Sequence, residues 1–317
     1  MVVPLQYLWR RIGALLVTLI IACTITFIVF NIIPGDPALL MLGTEADPDV
    51  LISLRRELGL DLPLHVQYIH WLKNLLAGDL GVSIRLQRPV ADLIWERLPV
   101  TFGLAVLAMV LTLVVSIPAG AYAAAHRGKL ADYLTVFISQ AGLAIPHFWL
   151  GILLILLFSV RWQLLPPGGF VPWSTNPWQA FQSLLLPALA LASHRIAMVT
   201  RITRATMLDA LSKDYIRTGM SKGLPKRVII YKHALKNSLI PTVTVVGMHF
   251  SGLLAGSIVA EEVFALPGLG RLLLQAIGYR DLPLVQGIAL FIATVVVLTN
   301  FGTDVLYLVL DPRVRYE

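Results

Sequence analysis

Long apolar runs are the feature that most limits how this chain can fold. Six predominantly apolar stretches occur, at 12–33, 99–123, 134–160, 184–206, 239–261 and 284–310. Because a helix rises about 1.5 Å per residue, each is long enough to cross a hydrocarbon core of roughly 30 Å. Over the chain, 57% of residues are hydrophobic and 14% are charged, with a mean hydropathy of +0.78. The sequence predicts an all-α polytopic membrane protein with six transmembrane helices.

The distribution of positive charge predicts how these spans are oriented. Arg10 and Arg11 precede the first span and the loop at 124–132 is basic, whereas the loops at 161–183 and 262–283 carry few positive charges. Because Lys and Arg concentrate in the cytoplasmic loops of membrane proteins, we expect both termini in the cytoplasm. These loops also explain the net charge of +7, so no nucleic-acid partner is expected.

The first apolar run is expected to be a retained span rather than a signal peptide, because it is long and lacks a small-residue cleavage site. The predicted organisation comprises a cytoplasmic N-terminus with the first span (1–33), an extracytoplasmic segment (34–98), a transmembrane core (99–310) with a cytoplasmic loop at 207–238, and a cytoplasmic tail (311–317). Within the extracytoplasmic segment, apolar stripes at helical spacing predict amphipathic helices over 47–59 and 63–78. We expect these helices to lie on the membrane or to cover an opening.

A long basic segment separates the fourth and fifth spans. It reads LSKDYIRTGMSKGLPKRVIIYKHALKNSLIP over 211–241. The spacing predicts a short helix over 212–222 that ends at Gly223, and a second helix that begins near Pro225 and continues to Lys236. Positive-inside topology accounts for the charge of this segment but not for the order of its residues. Two short helices projecting from the membrane would form a wedge that fits a groove on a partner.

The order of residues in this segment resembles that of a known family. The segment contains Tyr215, Ile216, Arg217, Thr218, Lys222, Gly223 and Leu224, followed by His233, Ala234, Leu235, Asn237 and Pro241. This pattern resembles the coupling loop of binding-protein-dependent ABC importers, and in particular the branch of dipeptide, oligopeptide and nickel permeases. That branch typically has Ala, Arg and Ala where this chain has Gly219, Met220 and Ser221. FNIIPGDPALLMLG, EEVFALPGLGRLLLQAI and the terminal DPRVRY extend the similarity over nearly the whole chain.

The resemblance implies the transmembrane-domain fold of a type I ABC importer and, within it, the B-type permease subunit of a bacterial cytoplasmic (inner) membrane. It implies three kinds of partner besides membrane lipid: a homologous C-type permease, two ATP-binding-cassette ATPase subunits and an extracytoplasmic solute-binding protein. ATP and Mg would be bound by the ATPase subunits, and no cofactor by this chain. The cargo implied is a dipeptide, a longer peptide, glutathione, a nickel chelate or another small solute, and the sequence does not choose among them.

The resemblance also implies a role for particular residues of the basic segment. The loop that docks onto the ATPase would comprise Asp214, Tyr215, Ile216, Arg217, Thr218, Lys222, Gly223, Leu224, His233 and Asn237. Closure of the ATPase subunits would move this loop and so rock the helices between inward-open and outward-open states.

Five residues near or within the spans are candidates for a transport pathway or gate. His194 and Arg195 interrupt the fourth span, and they line a pathway or reach the membrane surface from a helix that leaves the bilayer early. His249 in the fifth span forms an interhelical hydrogen bond or contacts the cargo or gate. Glu261 and Glu262 begin an outer loop, either as a solvated helix end or, by resemblance, as a guide for cargo at the outer mouth.

Other functional classes lack their residues in this sequence. No Walker A loop, HExxH motif or Ser/His/Asp set is readable, and Cys23, His65 and His70 do not form a metal-binding pattern, so we expect neither catalysis nor a metal site. A secondary transporter driven by protons or sodium is the alternative function. It would be expected to carry carboxylates inside its spans, and the acidic residues here fall in loops or at span ends, as Asp304 does.

Overall fold

The computed structural model describes residues 5–32, 38–39, 47–57 and 59–310. Within these residues the chain is helical without a β-strand, apart from one isolated bridge between Val82 and Pro89. The helices are α1 (Leu5–Ile32), α2 (Pro48–Glu57), α3 (Leu64–Leu76), α4 (Val90–Ala125), α5 (Leu130–Ala144), α6 (His147–Leu154), α7 (Pro177–Ser212), α8 (Asp214–Ser221), α9 (Lys226–Val228), α10 (Leu235–Val263), α11 (Leu269–Gly278) and α12 (Leu282–Leu310). The π-helical segment Ile155–Arg161 continues α6, and another, Ile229–Ala234, joins α9 to α10. The all-α prediction is confirmed.

Four long helices in the described part of the chain are long and apolar enough to cross a membrane, and one bent pair of helices would make a fifth span. The four are Trp9–Ile32 within α1, Val90–Ala125, Pro177–Ser212 and Leu282–Val305 within α12; the bent pair is Leu130–Ala144 with His147–Arg161. The predicted fifth span, 239–261, falls on α10, a helix of 29 residues that includes side chains outside the described set.

The third span differs from the prediction of one continuous helix over 134–160. Its two halves, α5 and α6, meet at an angle of 100°. Pro146 causes the break, because a proline disfavours α-helical backbone in the residue before it and has no N–H to donate. Ile145 accordingly has extended backbone angles of φ −84° and ψ 121°.

The second and fourth spans extend further than the predicted 99–123 and 184–206. Helices α4 and α7 each contain 36 residues, about 54 Å of helix, which exceeds the thickness of a hydrocarbon core. Apolar runs indicate only the part of a helix inside the membrane. The polar first turns of α4 and the last turns of α7 are therefore helical without being part of an apolar run.

The core of the bundle is formed where α7 packs between α4 and α10. Leu104 and Ala108 of α4, Leu184 and Leu191 of α7 and Leu253 of α10 are all buried in one cluster. Small residues bring these helices close together: a Cβ on Gly120 of α4 would lie only 2.7 Å from the backbone oxygen of Thr200 of α7. Close backbone approach is the usual basis of helix association in a membrane, where apolar burial alone does not favour protein over lipid.

The end of the bundle that includes α11 is tied by a buried carboxylate. Asp281 accepts hydrogen bonds from the backbone N–H groups of Ile84, Arg85 and Leu284 at 3.2–3.3 Å and from the hydroxyl of Ser83. The loop before α4 is thereby attached to the start of α12. Leu93 and Ile94 of α4 and Leu269 and Leu272 of α11 form an apolar cluster beside it with Leu284 and Ile288 of α12.

Helices α2 and α3 fall on the two predicted amphipathic segments, 47–59 and 63–78. Tyr68 of α3 lies against α1, with its hydroxyl 2.9 Å from that of Thr24 and its ring centroid 5.2 Å from that of Phe27. These contacts attach the amphipathic segment to the first span.

Candidate functional site

The basic segment begins directly at the C-terminal end of α7. The last helical residue is Ser212, and Lys213 has extended backbone angles of φ −75° and ψ 154°, which turn the chain out of the helix. Helix α8 then runs from Asp214 to Ser221, and its first-turn acidic residue suits the positive end of a helix dipole. Local signals in the sequence thus place a separate short helix outside the bundle.

One side chain, Ile216, anchors α8 to the bundle. It is 1% exposed and belongs to a buried cluster with Met207 and Ala210 of α7, Ala124 of α4, and Ile229, Ile230 and Ala234 of the segment that leads into α10. Burying an isoleucine contributes on the order of 2 kcal/mol. Because the cluster joins three long helices, a force applied to α8 acts on all three.

The end of α8 is fixed by backbone hydrogen bonds around Gly223. The N–H of Gly223 donates to the carbonyl of Met220 at 2.9 Å, and the N–H of Leu224 donates to the carbonyl of Gly219 at 3.2 Å. These two bonds define a Schellman motif, which requires a left-handed residue at Gly223, and its φ is +73°. Pro225 then starts the next helical turn, and its carbonyl accepts from the N–H of Val228 at 2.9 Å.

The outward face of α8 makes few contacts within the described chain. Asp214, Tyr215 and Thr218 are exposed, and so is Lys222 directly after the last helical residue. The side chain of Arg217 is 78% exposed and lies 3.6 Å from Asp214, whose side chain is 96% exposed. Such a surface ion pair contributes little to stability. The charge and the aromatic ring on this face are therefore available to a partner.

Exposed residues continue beyond α8. Leu224 is 38% exposed, and Tyr231 is 57% exposed on the π-helical segment. His233 is partly buried, and its carbonyl accepts a hydrogen bond of 3.0 Å from the amide Nδ2 of Asn237, which is exposed. The structure therefore groups the predicted residues from Asp214 to Leu224 on one projecting element, and places His233 and Asn237 on the helix that returns to the bundle.

An ion pair that was not predicted lies at the same end of the bundle. Asp132, 4% exposed at the start of α5, pairs with Nε of Arg204 on α7 and accepts a second hydrogen bond of 2.9 Å from Nη2 of Arg204. It also accepts from the N–H of Gly128 at 3.0 Å. The pairing joins residues 72 apart in the sequence, so no local pattern indicates it. It fixes the loop before α5 to the helix that carries α8.

The predicted pathway residues do not form one site. His194 is exposed and Arg195 partly buried halfway along α7, while the side chain of His249 lies outside the described residues. Glu262 is exposed at the end of α10, 3.6 Å from the guanidinium Nε of Arg271.

Glu261 is buried, which corrects the expectation that both glutamates begin an exposed outer loop. Its side chain is 0% exposed. It accepts hydrogen bonds from the hydroxyl of Thr101 at 2.7 Å and from the N–H groups of Gly270 and Arg271 at 2.7 and 3.1 Å. The Thr101 oxygen in turn accepts from the N–H of Leu269 at 2.8 Å. Glu261 therefore caps the first turn of α11 and joins α4, α10 and α11, a role set by partners distant in sequence.

Comparison with known proteins identifies the family. The family described as binding-protein-dependent transport system inner membrane component matches residues 116–316, and its N-terminal membrane component matches residues 4–105. The chain belongs to this family. It is a multi-pass inner-membrane permease subunit, and proteins of this kind act with a second permease, an ATPase and a solute-binding protein.

Several named proteins are similar over nearly their whole length. The dipeptide transport system permease protein DppB of Escherichia coli (strain K12) is 38% identical over 337 residues, covering 99% of both chains. A Brucella abortus (strain 2308) protein, provisionally named a peptide transport system permease protein, is 44% identical over 308 residues, covering 97% of this chain and 98% of the relative.

A solved structure shares the fold. The MetNI methionine ABC transporter in an inward-facing conformation aligns with a TM-score of 0.56 and 18% identity, covering 69% of this chain and 96% of the matched chain. The predicted type I ABC importer transmembrane-domain fold is confirmed.

Two glycines near the end of α8 should respond in opposite ways to alanine. A Cβ on Gly219 would meet Leu224 at 3.5 Å, an ordinary contact, so Gly219→Ala should stabilise the helix by about 1 kcal/mol. At Gly223 a Cβ would meet no other atom, but the φ of +73° is unfavourable for alanine. Gly223→Ala should therefore destabilise the helix end by about 1–2 kcal/mol. Tryptic cleavage after Arg217, measured by mass spectrometry on the purified permease, should slow in the first variant and accelerate in the second. Equal rates in both would contradict the assigned helix end.

Replacing Glu261 should destabilise the bundle, whereas replacing its neighbour should not. Glu261→Gln removes a buried charge that accepts several hydrogen bonds, and the expected loss is about 1–3 kcal/mol. Glu262→Gln alters an exposed ion pair and should change stability by less than about 0.5 kcal/mol. The measurement is the midpoint of thermal unfolding in detergent. A lower midpoint for Glu262→Gln than for Glu261→Gln would refute the buried network.

Proposed function

We propose that this chain is a non-catalytic transmembrane subunit of an importer for peptides, or for a related small solute, and that it binds no cofactor. Peptides are supported as cargo by the names of the relatives, which include dipeptide transport permeases. The observation that carries the proposal is α8, a helix that projects from the bundle on one buried anchor and exposes Tyr215 and Arg217. A helix of this kind suits insertion into a groove on a partner.

The partners follow from this assignment. A homologous C-type permease would complete the pathway, two ATP-binding-cassette ATPase subunits would bind ATP and Mg, and an extracytoplasmic binding protein would deliver the cargo. The orientation has both termini in the cytoplasm. It is supported by the concentration of Lys and Arg in the loop at 124–132 and the segment at 207–238, which lie at the same end of the bundle.

Coupling would proceed through the contacts of Ile216. When the two ATPase subunits close on ATP, they displace α8. Because Ile216 packs against α4, α7 and the start of α10, the displacement is passed to three helices that cross the membrane. The Asp132–Arg204 pair holds the start of α5 to α7, so α5 would follow. This is rigid-body motion of packed helices between two states, as alternating access requires.

An ion-coupled transporter is less consistent with the described carboxylates. Asp132, Glu261 and Asp281 are the three buried ones in the described part of the chain. Each accepts several hydrogen bonds and lies at a helix terminus or in an adjoining turn. Carboxylates that bind and release a proton or sodium ion during transport are instead expected along a pathway within the spans.

The test is uptake by the complete complex reconstituted in liposomes, with labelled dipeptide and ATP. Arg217→Ala removes an exposed charge that would contact the ATPase. Dipeptide uptake and cargo-stimulated ATP hydrolysis should therefore fall about tenfold, as expected for the loss of one charge-assisted hydrogen bond. The thermal midpoint of the isolated permease should stay unchanged, because the Arg217–Asp214 pair is solvated.

Lys129→Ala is the matched control. Lys129 is also an exposed positive residue at this end of the bundle, but it lies in the loop before α5 rather than on α8. Its uptake should equal that of the unaltered protein. Dipeptide uptake that persists without ATPase subunits, or that needs an ion gradient instead of ATP, would disprove the proposed function.

A further inference from the structure

Three basic side chains lie together near the middle of the bundle, away from α8. His194 and Arg195 are halfway along the 36 residues of α7, and His147 is the first residue of α6, next to the bend at Pro146. Contacts on both sides of the bend bring these elements together. A Cβ on Gly142 of α5 would lie 3.2 Å from that of Ala197, and one on Gly151 of α6 would lie 3.6 Å from that of Ala190. These contacts place His147 beside the part of α7 that carries the other two residues.

Two nitrogen atoms of this cluster lack a hydrogen-bond partner in the described part of the chain. Nη1 of Arg195 donates at 3.2 Å to the carbonyl of Leu191, four residues earlier on the same helix. Nε of Arg195 and Nε2 of His147 are both buried and have no hydrogen-bond partner among the described residues. Buried polar atoms in native proteins are nearly always hydrogen-bonded, so these two indicate that a group from elsewhere completes the site.

No carboxylate of the described residues compensates this charge. Asp132 pairs with Arg204, and Glu261 and Asp281 are held at the other end of the bundle. Asp304 pairs with Arg11. A guanidinium in the middle of a membrane costs about 3 kcal/mol or more when it faces lipid, so this cluster requires either water or an anion.

The cluster borders a surface of this chain that another molecule can reach. His194 is exposed, and so is Gly252 of α10, where a Cβ would lie 3.5 Å from Nη2 of Arg195. The guanidinium thus lies over a glycine that leaves space beside it. An ionisable side chain exposed within a membrane-spanning helix is expected to face a cavity or another subunit rather than lipid.

We propose that Arg195, His147 and His194 bind the carboxylate of the transported peptide as it passes through the membrane. This inference rests on the proposed function. Every unmodified peptide carries a terminal carboxylate, and a guanidinium with free N–H donors is the side chain best suited to bind it. Two imidazoles beside the guanidinium add hydrogen-bond donors. The other source of a carboxylate is an acidic residue of the second permease, and the experiment separates the two.

Uptake of a labelled dipeptide delivered by preloaded binding protein, in liposomes with the complete complex, tests the role of Arg195. Arg195→Gln should lower uptake by about tenfold or more, as expected for the loss of a charge-assisted hydrogen bond. Arg195→Lys keeps the charge but loses the planar guanidinium, so its uptake should lie between that of Arg195→Gln and that of the unaltered protein. Arg201→Gln is the control, because Arg201 is exposed on the same helix. Its uptake should be unchanged.

A cysteine reporter tests the ligand directly, because Cys23 is the single cysteine of the chain. In the complex with Cys23→Ala and His194→Cys, an anionic methanethiosulfonate reagent should modify residue 194. A millimolar dipeptide should slow the modification, and the same dipeptide with a C-terminal amide should not. Absence of modification, or equal protection by both compounds, would overturn the proposal.

The remaining outcomes are also decisive. If Arg195→Gln releases the second permease during purification, the carboxylate belongs to that subunit and the cargo site is refuted. If the unaltered complex takes up the dipeptide and Arg195→Gln does so equally well, the cargo site is refuted while the proposed function stands. If the unaltered complex takes up no peptide, the proposed function itself has failed.

Discussion

The hydrocarbon core of the membrane offers no water to polar groups, and the arrangement of this protein follows from that constraint. Backbone groups are satisfied within helices, and the buried carboxylates occur at the ends of the bundle. Asp132 binds Arg204 at one end, whereas Glu261 and Asp281 bind backbone N–H groups at the other. Each joins segments far apart in sequence. The long helices are therefore fastened at both ends and packed closely between them, so they move as connected bodies rather than separately.

Helix α8 is attached to this bundle differently. It lies outside the packed helices, between the turn at Lys213 and the Schellman motif at Gly223, and one buried side chain, Ile216, connects its face to the core. Its opposite face is exposed and charged. A small projecting element with a firm anchor suits the transfer of motion from a partner, because the anchor touches several helices while the exposed face stays available for docking.

The sequence predicted those features that depend on nearby residues. Apolar length predicts the spans, and the break between α8 and α9 follows from Gly223 and Pro225, whose conformational preferences are local. The bend at Pro146 was missed, although a proline between apolar runs is a local signal for it. The burial of Glu261 was not predictable in the same way. Its partners Thr101 and Gly270 lie 160 and 9 residues away, and only the packed structure brings them together.

The central claim is that the exposed face of α8 docks onto the ATPase. Hydrogen–deuterium exchange of the permease complex, with and without the ATPase subunits, measures this directly for the backbone amides of residues 214–224. Docking predicts slower exchange in this segment when the ATPase is bound, and no change in the segment that follows Asp79, at the opposite end of the bundle. Unchanged exchange over 214–224 in a complex that has bound its ATPase would contradict it.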